Sequence, residues 1–308
     1  MGSMPATDAA SNYRPPALLR DVLLLDLLEL TGSTQEASRH LALSQPSVSR
    51  RYQRLARDFG LRRDLRLRWG FRYGSNGSIR HLRLAARAHR IAAGQVVLGA
   101  DPWHRPLLEG VGGLLLSPPR FLPGADWSQL LREGVVDGAL VPALELEPGS
   151  QPGPGVRLVE LGELPLALMV PLGGKRRTAL APSPAQAPGM VRLLEAHDLT
   201  LQEAPRLAQD WSGWLALLEP EGPGLPVPGP LAATLPASTP VPLEPLPATA
   251  VLQEKLWLLL AEDLADEQLE TRILAGLRQS QARVSQQPPG ASFSITRGWR
   301  GSASTEWA

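Results

Sequence analysis

The stretch from Gly32 to Gly60, GSTQEASRHLALSQPSVSRRYQRLARDFG, constrains this chain more than any other. Ser33 followed three residues later by Glu36 is a capping box, in which a hydroxyl and a carboxylate serve backbone donors that the first helical turn leaves open. Ala37 and Leu41 then share a face at i, i+4. The pattern breaks at Ala42 and Leu43. Ser44 offers a second N-cap, with Pro46 inside the first turn, where no N–H partner is needed. Beyond it Val48, Tyr52, Leu55 and Phe59 recur at helical spacing, an apolar stripe that must pack on the preceding helices. The spacing predicts a helix, a tight turn and a second helix, preceded by the Leu-rich helical segment PALLRDVLLLDLLELTG.

The opposite face of the last helix carries Ser47, Arg50, Arg51, Arg54 and Arg57. Small polar groups at its start and guanidinium groups along its length suit a helix that reads base edges with its first turns and grips phosphates with the rest. A solvated basic face on a purely structural helix would look the same in isolation. The two caps and the short turn favour the DNA-reading interpretation. Charge distribution agrees: residues 1–95 hold 16 Arg, no Lys and 7 acidic residues, a net +9, while the remainder holds 15 Lys+Arg against 23 acids, a net −8.

On Gly32-Ser33, Ala37, Leu41, Ser44-Gln45-Pro46, Val48-Ser49-Arg50, Leu55 and Gly60, the stretch resembles the helix-turn-helix signature of LysR-type transcriptional regulators, without a gap. Further on, WSQLLREGVVDGALV is similar to that family's LLxxGxxD helix-to-strand step, with Gly134 and Asp137 in place. The resemblance implies a winged helix-turn-helix, a linker helix that dimerises and an effector domain of the type 2 periplasmic-binding-protein fold. It implies bases read by Gln45, Pro46, Ser47, Ser49 and Arg50, with Ser33, Thr34, Arg51 and Arg54 completing the DNA-binding set. The partners it implies are double-stranded DNA, a small-molecule effector and further copies of the chain, as a dimer or tetramer. The family's usual LTxAG start to the linker helix is missing, so wing contacts do not carry over.

From Leu65 the apolar period becomes two, with Leu65, Leu67, Trp69, Phe71 and Tyr73 on one side, and predicts a strand before the turn Gly74-Ser75-Asn76-Gly77. SIRHLRLAARAHRIAAG then reads as a helix in which Ile79, Leu82, Ala86 and His89 share the dimerising face. Residues 95–285 alternate short apolar runs (VVLGA, DGALV, VRLVEL, LPLALMVP, LWLLLA) with helical ones (WSQLLREG, APGMVRLLEAHD, DEQLETRILAGLRQ), the mark of an α/β sheet. Many of the 31 prolines are expected in loops, among them PEGPGLPVPGP. The expected division is a DNA-binding domain over 14–77, a linker helix over 78–94, a two-subdomain α/β effector domain over 95–285 and a disordered tail over 286–308.

In the family the effector lies between the two α/β subdomains. The corresponding residues here are Asp101, Trp103 and His104 after the first strand, Asp126 at a later helix start, and Ser212 from the second subdomain. Two acids at such a site disfavour a bare carboxylate ligand and favour a neutral, cationic or metal-accompanied one. Enzyme chemistry is not expected: cysteine is absent, the five histidines lack metal-ligand spacing, no GxSxG elbow occurs, and GVGG at 110–113 is no dinucleotide fingerprint. No cofactor or metal is expected. The start of the chain shows no leader-like apolar run and no apolar run approaches a membrane span, so a cytoplasmic protein is expected. The alternative is a small-molecule sensor or enzyme that retains a degenerate DNA-binding domain.

Overall fold

The computed structural model describes residues 14–64, 66, 71–146, 153–205, 210–232, 235, 239–246, 252–264, 271, 274–276 and 278. Three helices open it: α1 (Ala17–Thr31), α2 (Thr34–Leu41) and α3 (Gln45–Phe59). Seven apolar residues of α1, Leu19, Val22, Leu24, Leu25, Leu27, Leu28 and Leu30, are buried, so a helix with little polar contrast is held at the centre of its cluster. It ends at Gly32, whose φ of +64° lets its N–H return to the Leu28 carbonyl. Ala37, Val48 and Leu55 pack against it, with Leu41, Tyr52 and Phe59 at the margin, as the helical spacing requires.

The strand expected through residue 73 does not form in its described part. Phe71, Arg72 and Tyr73 lie in bends and turns, and Leu65, Leu67 and Trp69 fall outside the described residues. The cause is the burial of Tyr73. Its ring meets Tyr52 edge-on at 5.1 Å, its hydroxyl donates to the Gly32 carbonyl at 3.2 Å and its N–H donates to Glu29 at 2.9 Å. Those contacts draw the segment beneath the helices and away from any hairpin.

Helix α4 (Gly77–Ala92), capped by the Asn76 side chain, leads into the α/β part. The elements follow as β1 (Val96–Ala100), α5 (Arg105–Leu108), β2 (Leu114–Leu116), α6 (Gly124–Arg132), β3 (Gly138–Pro142), a 3-10 turn (Ala143–Glu145), β4 (Val156–Pro171), β5 (Lys175–Ala181), α7 (Pro188–Ala196), β6 (Thr200–Glu203), α8 (Trp211–Leu215), β7 (Pro223–Pro228), α9 (Gly229–Ala232), β8 (Leu243–Pro245) and β9 (Leu252–Ala261). The strand order is β2-β1-β3-β9-β4-β7-β5-β6, with β8 also on β4. Two halves result, joined by the long strands β4 and β9, which pair antiparallel from Val156↔Ala261 to Leu166↔Leu252 with a bulge at Glu160/Gly162. This two-part α/β domain behind a helix-turn-helix is the expected architecture. VRLVEL and LPLALMVP, expected as separate strands, form the single strand β4.

Strand β7 corrects the reading of PEGPGLPVPGP as loop, since Pro223–Pro228 is buried throughout. Pro226 and Pro228 share one parity and thin the hydrogen-bond ladder on only one side. Pairing with β4 runs on to Pro228, whereas pairing with β5 stops at Gly224.

One face of α4 is docked by arginines. The Arg83 Nε–H donates to Asp26 of α1 at 2.6 Å. Arg87 and Arg90 both donate to the Asp137 carboxylate, at 3.1 and 2.8 Å, and Asp137 also accepts the Val97 N–H of β1 at 2.7 Å. Arg87 further donates to the Leu131 and Val136 carbonyls. These guanidinium groups and Asp137 are buried, which makes the cluster costly to break. Ile79 and Ala86 of the face expected to dimerise are buried within the same chain, while His81, Ala85, Ala88, His89 and Ala92 point outward. The arginines explain the difference, because their partners lie in this chain. Replacing Asp137 leaves two buried cations without their shared anion. Asp137→Ala is therefore expected to lower the unfolding free energy by about 3–5 kcal/mol in urea titration, and a loss under about 1 kcal/mol would contradict the docking.

Candidate functional site

The helix-turn-helix is assembled by its caps. Ser33 accepts the Glu36 N–H at 3.4 Å and starts α2. The return half of the expected capping box is absent: the Ser33 N–H donates to the Thr31 hydroxyl, and the Glu36 carboxylate accepts from Arg120 at 3.1 Å. Ala42 closes α2 at φ +54°, the Leu43 N–H reaches the Ser38 carbonyl, and Ser44 caps α3 by accepting the Ser47 N–H at 3.3 Å. Across the turn, the Gln45 side-chain amide donates to the Thr34 hydroxyl at 2.9 Å, so the starts of the two helices are tied side chain to side chain.

The outward face of α3 carries exposed Gln45, Pro46, Arg50, Arg54 and Arg57, with Ser47, Ser49 and Arg51 half-buried beside them. Arg54 is engaged with Asp21 of α1 at 2.8 Å, though it stays 61% exposed. A pair so open to solvent is worth little and exchanges easily for a phosphate. The structure thus brings Ser33, Thr34, Gln45, Pro46, Ser47, Ser49, Arg50, Arg51 and Arg54 to the α2 start and the outer side of α3.

Beneath that face lies Glu29. Burial pushes its carboxyl up from 4.5 to about 8, against the opposing pull of Arg83 and of the Tyr73 N–H.

The second candidate site is the cleft between the α/β halves. Asp101, Phe121, Leu122 and Trp127 line it from one side, Gln186, Ala187 and Met190 from the other, with Glu145 between them. It holds about 280 Å³ of non-atom space including its open mouth, and interior room on the order of one water molecule. Phe121 is in turn packed among buried rings: Trp103 meets Phe121 at 5.2 Å and Trp214 at 5.1 Å, and Phe121 meets Trp214 at 5.6 Å, all edge-on.

Of the residues expected to meet an effector, only Asp101 lines this cleft. Trp103 and His104 are buried in packing and ion pairing, Ser212 is exposed and bonded to Asp210, and Asp126 lies in the first turn of α6 outside the lining. Nor does Asp101 stand as an uncompensated charge. The His104 Nδ1–H donates to it at 2.6 Å and the Nε2–H to Glu254 at 2.5 Å. Burial by itself would lower this imidazole, but the two carboxylates outweigh it and hold His104 well above the ordinary histidine value, protonated. The carboxylate left facing the cleft is Glu145. One oxygen accepts the Met190 N–H of α7 at 2.8 Å, while Oε2 is buried without a hydrogen-bond partner among the described residues.

Glu145, Arg120 and Phe121 were not selected from the sequence. The fold sets their surroundings, with Glu145 and the Arg120-Phe121 pair on separate segments, and a lone Glu in ALELEP or Arg in SPPRF carries no local signature.

No protein-family model matches the chain, and no curated protein does. Among solved structures it is similar to OxyR of Corynebacterium glutamicum (13% identity, TM-score 0.46, 92% of this chain and 99% of that one). ArgP from Mycobacterium tuberculosis is similar at 17% identity and TM-score 0.43 over 91% of this chain and 100% of that one. Full-length CbnR complexed with its target DNA is similar at 16% identity and TM-score 0.45 over 85% and 99%. No helix among the described residues is long and apolar enough to cross a membrane.

The displaced carboxyl of Glu29 generates a pH signature. The folded chain keeps a proton there between about 4.5 and about 8 that the unfolded chain releases, so this stabilising contribution is complete below 4.5 and is lost as pH rises to 8. Glu29→Gln keeps an acceptor for the Tyr73 N–H and removes the titration. Urea unfolding across this window is expected to show a decline in the wild type, on the order of a few kcal/mol, that flattens in Glu29→Gln. Parallel curves for the two proteins would show that Glu29 is ionised throughout.

Proposed function

We propose that this chain is a sequence-specific, DNA-binding transcriptional regulator of the LysR type, cytoplasmic and active as a dimer or tetramer. The working division is a DNA-binding domain over 14–77, a linker helix over 78–94, an effector-sensing α/β domain over 95–285 and a tail over 286–308. The observation that carries the reading is the face of α3: polar and basic side chains lie outward from its first turn, while its apolar stripe is committed to α1 and α2. The first turns of α3 enter the major groove, where Gln45, Ser47, Ser49 and Arg50 meet base edges and Pro46 lies against the groove wall. Arg51, Arg54 and Arg57 reach phosphates. Ser33 and Thr34 present the start of α2, with its free N–H groups, to the backbone on the near side.

In the sensing half a ligand meets Phe121, the ring of the cleft that packs against Trp103 and Trp214. Glu145 is the charge such a ligand meets, which keeps a neutral, cationic or metal-accompanied molecule favoured over a bare carboxylate. Association of chains is assigned to the outward side of α4, because its inner side is filled by the chain itself. Light scattering at micromolar concentration is the check, and a monomer that binds DNA one chain per site contradicts it.

Selection from a random duplex pool tests the main reading, with enrichment of one sequence expected. On that site Arg50→Ala is expected to lose about 1–3 kcal/mol and to blur one base position. Arg57→Ala should weaken selected and random DNA alike and lower the salt slope by about one. Recovery of no preferred sequence, or equal losses on both DNAs for both variants, would contradict the assigned face.

A further inference from the structure

We propose that Arg120 is a positioning residue that transmits the state of the cleft to the DNA-reading helices. The inference rests on the function proposed above. Its structural basis is the segment Ser117-Pro118-Pro119-Arg120-Phe121, which leaves β2 and runs beside β1. The Ser117 N–H donates to the Leu98 carbonyl at 2.9 Å and the Arg120 N–H to the Ala100 carbonyl at 3.1 Å. Pro118 and Pro119, both buried, fix their own φ angles, so the strap moves as one piece.

Its two ends meet different domains. Phe121 lines the cleft and is in contact with Trp103 from its own half and Trp214 from the other. The adjacent Arg120 points the opposite way. Its guanidinium, 5% exposed, donates to the Leu30 carbonyl at 2.6 Å, to the Thr31 carbonyl and to the Glu36 carboxylate at 3.1 Å. It therefore supplies donors to the last turn of α1, whose carbonyls have no helical partner, and holds the carboxylate that would otherwise have closed the α2 capping box. A displacement of Phe121 moves Arg120, and with it the α1–α2 junction on which α3 is mounted. Buried contacts switch between discrete arrangements more readily than they stretch, so separation of the rings is transmitted and not absorbed.

A coupling of this kind is established by a cycle of variants and not by adjacency. Trp214 lies in the far half and is not among the partners of Arg120, so Trp214→Phe perturbs the rings alone. Hydrogen exchange at residues 31–37 is measured in the full chain with Trp214→Phe placed in three backgrounds: wild type, Arg120→Ala, and Arg120→Lys, which keeps a cation but not the fork. The expected result is a rise on the order of tenfold in the wild-type background and under about twofold in the other two. No rise in the wild-type background, or an equal rise in all three, overturns the proposal. The same variants are then titrated with the duplex enriched from the random pool, where affinity should follow exchange. Failure to enrich any duplex would overturn the DNA-binding reading, while the exchange cycle still decides the role of Arg120.

Discussion

The arrangement of this molecule depends on Asp137. Its buried carboxylate accepts from Arg87, Arg90 and the Val97 N–H, and so joins α4 to the first strands of the sheet. Four residues further back along α4, Arg83 grips Asp26 of α1. One helix thus carries ion pairs to the helix-turn-helix at one end and to the α/β domain at the other. Apolar packing would hold these bodies together without fixing their angle. Forked guanidinium groups with buried partners set it, because each pair tolerates little rotation before a charge is left unpaired.

The helix-turn-helix carries a different compromise. Its apolar cluster is completed by Tyr73, a residue brought in from beyond the helices, and the Tyr73 N–H is satisfied by a carboxyl that burial keeps protonated near neutral pH. On the α/β side, the cleft is lined by Phe121 and by Glu145 against the start of α7. Both sites therefore contain groups whose charge or packing is held away from its relaxed state.

Features written in local chemistry were legible in the sequence. Ser33, Ser44, Gly32 and Gly60 place the ends of α1, α2 and α3, because caps and left-handed stops act over four or five residues. VVLGA became β1 with its expected limits, and DGALV became β3 shifted by one residue to Gly138–Pro142, since a buried strand between turn residues has few other options. What escaped was decided at a distance. The alternation up to Tyr73 predicted a strand, and the pocket under Tyr52 took that residue instead. Prolines that normally mark loops lie in β7, where neighbouring strands bury them. Ile79 and Ala86 form an apolar face as expected, but only the partners of the α4 arginines reveal that it is covered by the same chain. Asp101 was legible as a cleft residue, whereas the ion pairing of its partner His104 required Glu254 from the distant central strand β9.

The central claim, that the helix-turn-helix and the α/β domain form one packed body, is open to a direct distance measurement. The chain contains no cysteine, so Gln53 on α3 and Gln129 on α6, both exposed, can each be changed to cysteine and spin-labelled without interference. Labelled protein diluted with unlabelled chain isolates the intramolecular distance by pulsed electron resonance. A packed body gives one narrow distribution, which broadens when Asp137→Ala removes the anion shared by Arg87 and Arg90. A broad distribution in the unaltered protein, unchanged by Asp137→Ala, would show that the domains move independently and that the arginines of α4 do not set their angle.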